Sequence, residues 1–138
     1  MKAGVWRRIA FAVVAVLFVS CSSGTDEARR GVAAFRARVA EGSLAEIYRT
    51  AGPELRGAAT EDEFLRFMTA LDAKLGPWQS AVDPVWSFTR GTAGHFVHLT
   101  YQSQFAKGAA TERFSWRIAN GTPVLLGYHV NSPLLVSQ

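Results

Sequence analysis

Cys21 is the only cysteine of the 138-residue chain. A thiolate is a strong nucleophile, and this cysteine stands directly after an apolar run. The three histidines, His95, His98 and His129, offer less. His95 and His98 are three apart in a segment of strand periodicity, so they point to opposite faces. His98 and His129 meet on a polar face only if their strands lie close. Two histidines without a placed carboxylate do not make a zinc site, and neither a metal nor a cofactor is expected. No Gly-x-Ser-x-Gly, phosphate loop or dinucleotide fingerprint occurs. Tyr48, Asp83 and Tyr101 could supply acid–base chemistry, although their spacing carries no signature. Both tyrosines read first as amphipathic core residues.

Two further groups suit binding better than catalysis. The aromatics Trp86, Tyr101, Trp116 and Tyr128 could line an apolar pocket on the inner face of a sheet. Arg113 and Arg117 lie four apart on one strand face, with His98 expected beside them, and could form an outer contact surface.

The segment before Cys21 explains its setting. Lys2, Arg7 and Arg8 precede the uncharged stretch Ile9–Ser20, which is 12 residues long. A membrane span needs roughly 20 apolar residues, so this run suits a cleaved export signal better than a permanent anchor. Leu17-Phe18-Val19-Ser20-Cys21 resembles the signal of bacterial lipoproteins. That family places a small residue before the cysteine, as Ser20 does here, and usually a leucine three before it, where this chain has Phe18. The resemblance implies diacylglyceryl transfer to the thiol, cleavage before Cys21 and acylation of the new amine. The expected organisation is a signal over residues 1–20, a lipidated cysteine with a short tether over 21–24, and one domain over 25–138. The expected place is the cell envelope. In that family an Asp directly after the cysteine often retains the protein at the inner membrane; Ser22 stands there instead, so the resemblance implies the outer membrane where the organism has one.

Composition agrees with export. With one cysteine, no disulfide can form within the chain. The formal charge of +4 misleads, because three of the 15 basic residues lie in the signal and all 11 acidic residues lie beyond it. The mature chain is close to neutral, which argues against a nucleic-acid partner. The expected partners are the membrane, through Cys21, and an envelope protein or small apolar ligand.

The mature chain reads as helices followed by strands. Thr25 to Glu41 is helical, with Ala28, Val32, Phe35 and Val39 on one face and Arg29, Arg30, Arg36 and Arg38 on a solvated one. Ser43 caps a short helix with Leu44, Ile47, Tyr48 and Ala51 inward, and Gly52-Pro53 stops it. Thr60 and Glu63 form a capping box before the stripe Phe64, Phe67, Met68, Leu71, Leu75. Beyond Gly76-Pro77 the period becomes two. Trp78 to Thr89 is one strand region interrupted by Pro84, which marks an edge or a bulge. His95 to Ala106, Thr111 to Ala119 and Val124 to Asn131 follow, the last pair joined through Asn120-Gly121, a strong hairpin signal. Leu126, Tyr128 and Val130 are expected to point inward.

This order implies an α+β fold with helices on one face of a curved four-stranded antiparallel meander. Together with the terminal segment 124–132 it resembles the cystatin-like rolls of the nuclear-transport-factor superfamily. Enzymes of that superfamily work with acids and tyrosines inside the cone between helices and sheet. The expected role is a membrane-tethered binding module that is not an enzyme, with a small cone-site enzyme as the alternative. A cone filled by aromatics removes the enzyme's site, whereas an open cavity with an acid beside a tyrosine favours it.

Overall fold

The computed structural model describes residues 23–136. Cys21 and the signal lie outside the described residues. Helix α1 spans Thr25–Glu41 and ends at Gly42, whose left-handed backbone lets the Gly42 and Ser43 N–H groups bond Val39 and Arg38 carbonyls. Gly24, not Thr25, takes the N-cap position, and Thr25 is the first helical residue, its hydroxyl 2.6 Å from that of Ser23. Helix α2 covers Leu44–Thr50 without a side-chain cap from Ser43. Gly52-Pro53 does more than stop it, because Pro53 opens a separate helix α3, Pro53–Ala58, with the proline at a position that has no N–H to satisfy. Helix α4 spans Glu61–Leu75 behind the expected capping box. In it the Thr60 backbone N–H donates to Glu63 Oε2 at 2.8 Å, and the Glu63 N–H donates to the Thr60 hydroxyl at 3.3 Å.

The sheet has five antiparallel strands rather than four: β1 Trp78–Ala81, β2 Val85–Gly91, β3 Gly94–Phe105, β4 Gly108–Ala119 and β5 Thr122–Asn131, before a last helical turn, α5, Pro133–Val136. Pro84 divides the region expected to be one strand. Both pieces then pair end to end along the same edge of β3, β1 against Ser103–Phe105 and β2 against Gly94–Thr100. The β4–β5 turn places Asn120 and Gly121 at φ 51° and 76°, the conformation that a two-residue hairpin requires. The β4–β5 register slips between Ser115 and Trp116, so that Trp116 faces Leu125 and Ser115 faces Gly127. This bulge leaves Leu126 as the extra residue and inverts the side-chain alternation. Leu125 is therefore the buried residue, and the inward assignment of Leu126 is corrected. Gly52 N–H donates to the Leu125 carbonyl at 2.8 Å, so the α2–α3 corner covers part of the β5 edge.

Helix α1 crosses the inner face of the sheet. Gly31 permits this: a Cβ there would lie 2.8 Å from the Trp116 ring, so a larger residue would lift the helix. Phe114 is fully buried at the centre of the core. Its ring centroid lies 5.2 Å from Phe35, 4.9 Å from Tyr128, 6.0 Å from Tyr101 and 6.3 Å from Trp116. The space between helices and sheet is thus filled by aromatic packing. Helices α2 and α4 pack on each other, and no described helix is long and apolar enough to cross a membrane.

Candidate functional site

Beside that core, α1, α4 and the Trp78–Phe105 end of the sheet enclose a cleft of about 560 Å³. Its apolar walls include Val39, Leu44, Met68, Leu71, Trp78 and Phe105, and Arg36, Glu112 and Tyr128 line it as well. Glu112 is only 2% exposed and sits on the inner face of β4, in step with Phe114 and Trp116. A carboxylate buried there needs donors, and it has three. Arg36 Nη2 donates to its Oε1 at 2.9 Å, and the Ser103 hydroxyl to the same oxygen at 2.6 Å. The Tyr128 hydroxyl donates to Oε2 at 2.7 Å. The Arg36 guanidinium lies 4.1 Å from the Trp78 ring centroid and 4.6 Å from that of Tyr101, a cation–π setting that favours arginine over lysine. Its Nε is buried without a partner.

The electrostatics fix these groups in place. Burial, reinforced by the neighbouring Glu112 charge, pushes the Tyr128 hydroxyl far above the usual tyrosine range. Burial likewise raises Tyr101, against the opposing pull of Arg36. Tyr128 is therefore a permanent donor, and both Glu112 oxygens are occupied by protein groups.

The sequence-predicted residues are distributed differently from expectation. Trp86, Tyr101, Trp116 and Tyr128 do not form one pocket. Tyr101, Trp116 and Tyr128 converge on Phe114 as core, and of the four only Tyr128 lines the cleft with Glu112. Trp116 instead borders a second depression of about 460 Å³ between α1, α2 and β5. Trp86 stands apart on β2, 48% exposed and stacked on Phe88. Arg36, read as part of a solvated face, belongs to the buried network. Asp83 is no cone acid: its side chain is 97% exposed and lies 3.6 Å from Arg29. Tyr48 donates its hydroxyl to the Ala59 carbonyl at 2.8 Å and so ties α2 to the segment after α3.

On the outer face, His98 Nδ1 lies 2.9 Å from the Ser115 hydroxyl. Burial, with Arg113 nearby, lowers its pKa. Arg117 is not free for a partner, because it pairs with Glu54 of α3. Strand β4 separates His98 on β3 from His129 on β5, and among the described residues no group of three histidine, cysteine or acidic side chains could hold a metal.

Glu112 and Ser103 carry no expectation in the sequence because their apolar neighbours suffice to define the strand face, whereas Arg36 falls among arginines that read as a solvated helix face. The usable signal was parity: Glu112 alternates with Phe114 and Trp116, and Ser103 with Tyr101 and Phe105, so both had to be inside and both had to find partners. Compared with known proteins, the chain matches no family model, no curated protein and no solved structure.

Proposed function

We propose that this chain is a lipid-anchored protein of the bacterial envelope whose cystatin-like roll binds an acyl-chain ligand in the α1–α4 cleft. The observation that carries the reading is the form of the cleft. Its volume of about 560 Å³ falls in the range of small-molecule sites, and apolar walls with few polar groups are their usual lining. Arg36 Nε, buried and unpartnered, is a donor that one polar atom of the ligand would satisfy. The anchor rests on Leu17-Phe18-Val19-Ser20-Cys21 and the charged, short apolar segment before it. Two or three acyl chains would hold the protein to the membrane where one would not.

The Glu112–Tyr128 contact favours a second reading, an acid–tyrosine enzyme. The geometry argues against it. A general base needs a lone pair within reach of the substrate, and Glu112 is almost fully buried with three of its roughly four acceptor sites taken by Arg36, Ser103 and Tyr128. Tyr128 holds its proton too tightly to act as a base.

Titration of the lipidated protein with palmitate, followed by Trp78 emission, tests the cleft. Ala40 and Thr69 line its mouth from α1 and α4 and are exposed, so Ala40→Arg and Thr69→Arg should block binding at least tenfold without lowering Tm. Absence of saturable binding, or binding untouched by both substitutions, refutes the ligand reading. For the anchor, Cys21→Ser should leave the membrane fraction or retain its signal. Unchanged mass and unchanged membrane association in that variant refute lipidation.

A further inference from the structure

Strand β2 carries the least covered apolar side chains of the sheet. Trp86 and Phe88 pair across the ladder with Leu99 and Val97 and so share the inner face with those fully buried residues. Yet they are 48% and 46% exposed, because the helices pack mainly on β3, β4, β5 and each other. The two rings stack with centroids 5.9 Å apart. Val82 and Val85, 61% and 76% exposed, extend the apolar edge. Exposed aromatic patches of this kind mark contact surfaces.

The occupant follows from where the chain arrives. His95 Nε2 lies 2.6 Å from the Ser23 carbonyl. Gly24 fits against the same ring: its φ is +76°, and a Cβ there would lie 2.5 Å from His95 Cε1 and 2.9 Å from Ile118 Cγ1. The His95 ring in turn meets Phe88 edge-on at 6.2 Å. The start of the domain is thereby pinned beside the exposed rings. Only Ser22 separates Ser23 from Cys21, and two residue steps reach at most about 7 Å.

We infer that the Trp86–Phe88 face of β2 is a membrane-docking surface that inserts its rings into the phospholipid interface next to the anchor. The inference rests on the lipidation of Cys21 proposed above. Tryptophan and phenylalanine suit that boundary, where a ring buries its apolar body and the indole N–H stays wet. Charge does not drive the contact. Arg90 follows the rings on β2, and Arg29 faces Asp83 at 3.6 Å, so little net charge borders the patch. The surface should therefore bind zwitterionic lipid about as well as anionic lipid.

The test uses the full lipidated protein in phosphatidylcholine vesicles that carry a nitroxide quencher at a shallow acyl position. The mass of the N-terminal peptide is measured on the same sample. Tryptophan emission should be quenched, and Trp86→Phe should remove at least half of the quenching while flotation with the vesicles persists. Quenching should change less than twofold when anionic lipid or high salt is added. A lipidated, floating protein that is not quenched overturns the docking surface alone, as does quenching that Trp86→Phe leaves intact. A crosslinked dimer that Phe88→Ala abolishes, in place of quenching, assigns the face to a second copy and also overturns it. An unmodified Cys21 overturns the anchor itself, and the mass distinguishes that result from the others.

Discussion

Glu112→Ala should be the most damaging single substitution in the buried network, and the structure sets its scale. Glu112 is 2% exposed and its partner Arg36 has a side chain 16% exposed. Truncation leaves that guanidinium without its counter-charge, and breaking a buried pair from one side costs about 3–5 kcal/mol. It also removes the acceptor of the Ser103 and Tyr128 hydroxyls, each worth about 1–3 kcal/mol when left unsatisfied. Some relaxation toward the cleft offsets this, and the rings of Trp78 and Tyr101 still hold the cation. A net loss of about 4–5 kcal/mol is expected, a large share of the roughly 5–15 kcal/mol that stabilises a domain. Urea unfolding followed by far-ultraviolet circular dichroism measures it. The double variant Arg36→Met/Glu112→Leu is the control, because it removes both charges together. It still leaves the Ser103 and Tyr128 hydroxyls without their acceptor, so it should recover only the charge part of the loss and lie about 2–3 kcal/mol below the parent. A loss below about 1 kcal/mol for Glu112→Ala refutes the pairing argument, and so does a double variant as unstable as the single one.

Tyr128 adds an alkaline signature. Its folded-state pKa lies above the ordinary value of 10.0, from burial first and Glu112 second. The stability it contributes is therefore complete below pH 10 and is lost as pH rises above that, where the unfolded chain releases the proton first, at up to about 1.4 kcal/mol per pH unit. Tyr128→Phe should flatten the fall in urea midpoint between pH 9 and 11, and an unchanged slope would contradict the assignment. Trp116→Ala, which empties a site 4% exposed between Phe114 and Gly31, should cost about 3–5 kcal/mol in the same unfolding assay. A cost under about 1 kcal/mol would show that the helix settles into the gap.

Where local chemistry decides the structure, the sequence was legible. The bounds of α1 follow from its apolar spacing and Gly42. Thr60 and Glu63 mark the start of α4, because the two groups satisfy each other without help from elsewhere. Asn120-Gly121 fixes its turn by backbone conformation alone. The features that escaped are decided by contacts distant in sequence. Pro53 can end one helix or open another, and the α2–α3 corner resolves this through Gly52 bonding to Leu125. Pro84 breaks a strand, but that both halves return to one edge of β3 depends on the length of β3. The bulge at Leu126 has no composition signal, and it reverses the inside and outside of every residue on one side of it. The Arg36–Glu112 pair joins positions 76 apart: parity puts Glu112 inside, but nothing local says which cation meets it there. The proposed site inherits this division: its apolar walls were visible as periodic stripes, and its polar floor was not.

Helix α1 links the two surfaces proposed above. Its first turn lies beside His95, Phe88 and the approach to Cys21, and its last turns supply Arg36, Val39 and Ala40 to the cleft. From Thr25 to Arg36 the helix advances about 17 Å at 1.5 Å per residue. Because the helix packs on the sheet, the end next to the proposed anchor and the end that lines the cleft are kept that far apart. An upright α1 would carry the cleft past the lipid headgroups, so an acyl ligand would have to leave the bilayer completely to enter it. A helix lying flat would keep the mouth at the interface, and the ligand could slide in with its polar end still wet. The exposed rings choose between these arrangements. Trp86 and Phe88 project from the sheet face that α1 crosses, and seating both rings in the interface tilts that face toward the lipid. On the proposed reading the docking surface and the cleft would act together, the β2 rings setting the tilt that brings the cleft mouth to its ligand. Removing the rings with Trp86→Ala/Phe88→Ala should therefore slow palmitate transfer from vesicles into the cleft while leaving its affinity for palmitate presented in solution unchanged. Equal losses in both assays would mean that the rings act on the cleft through the fold and not through orientation.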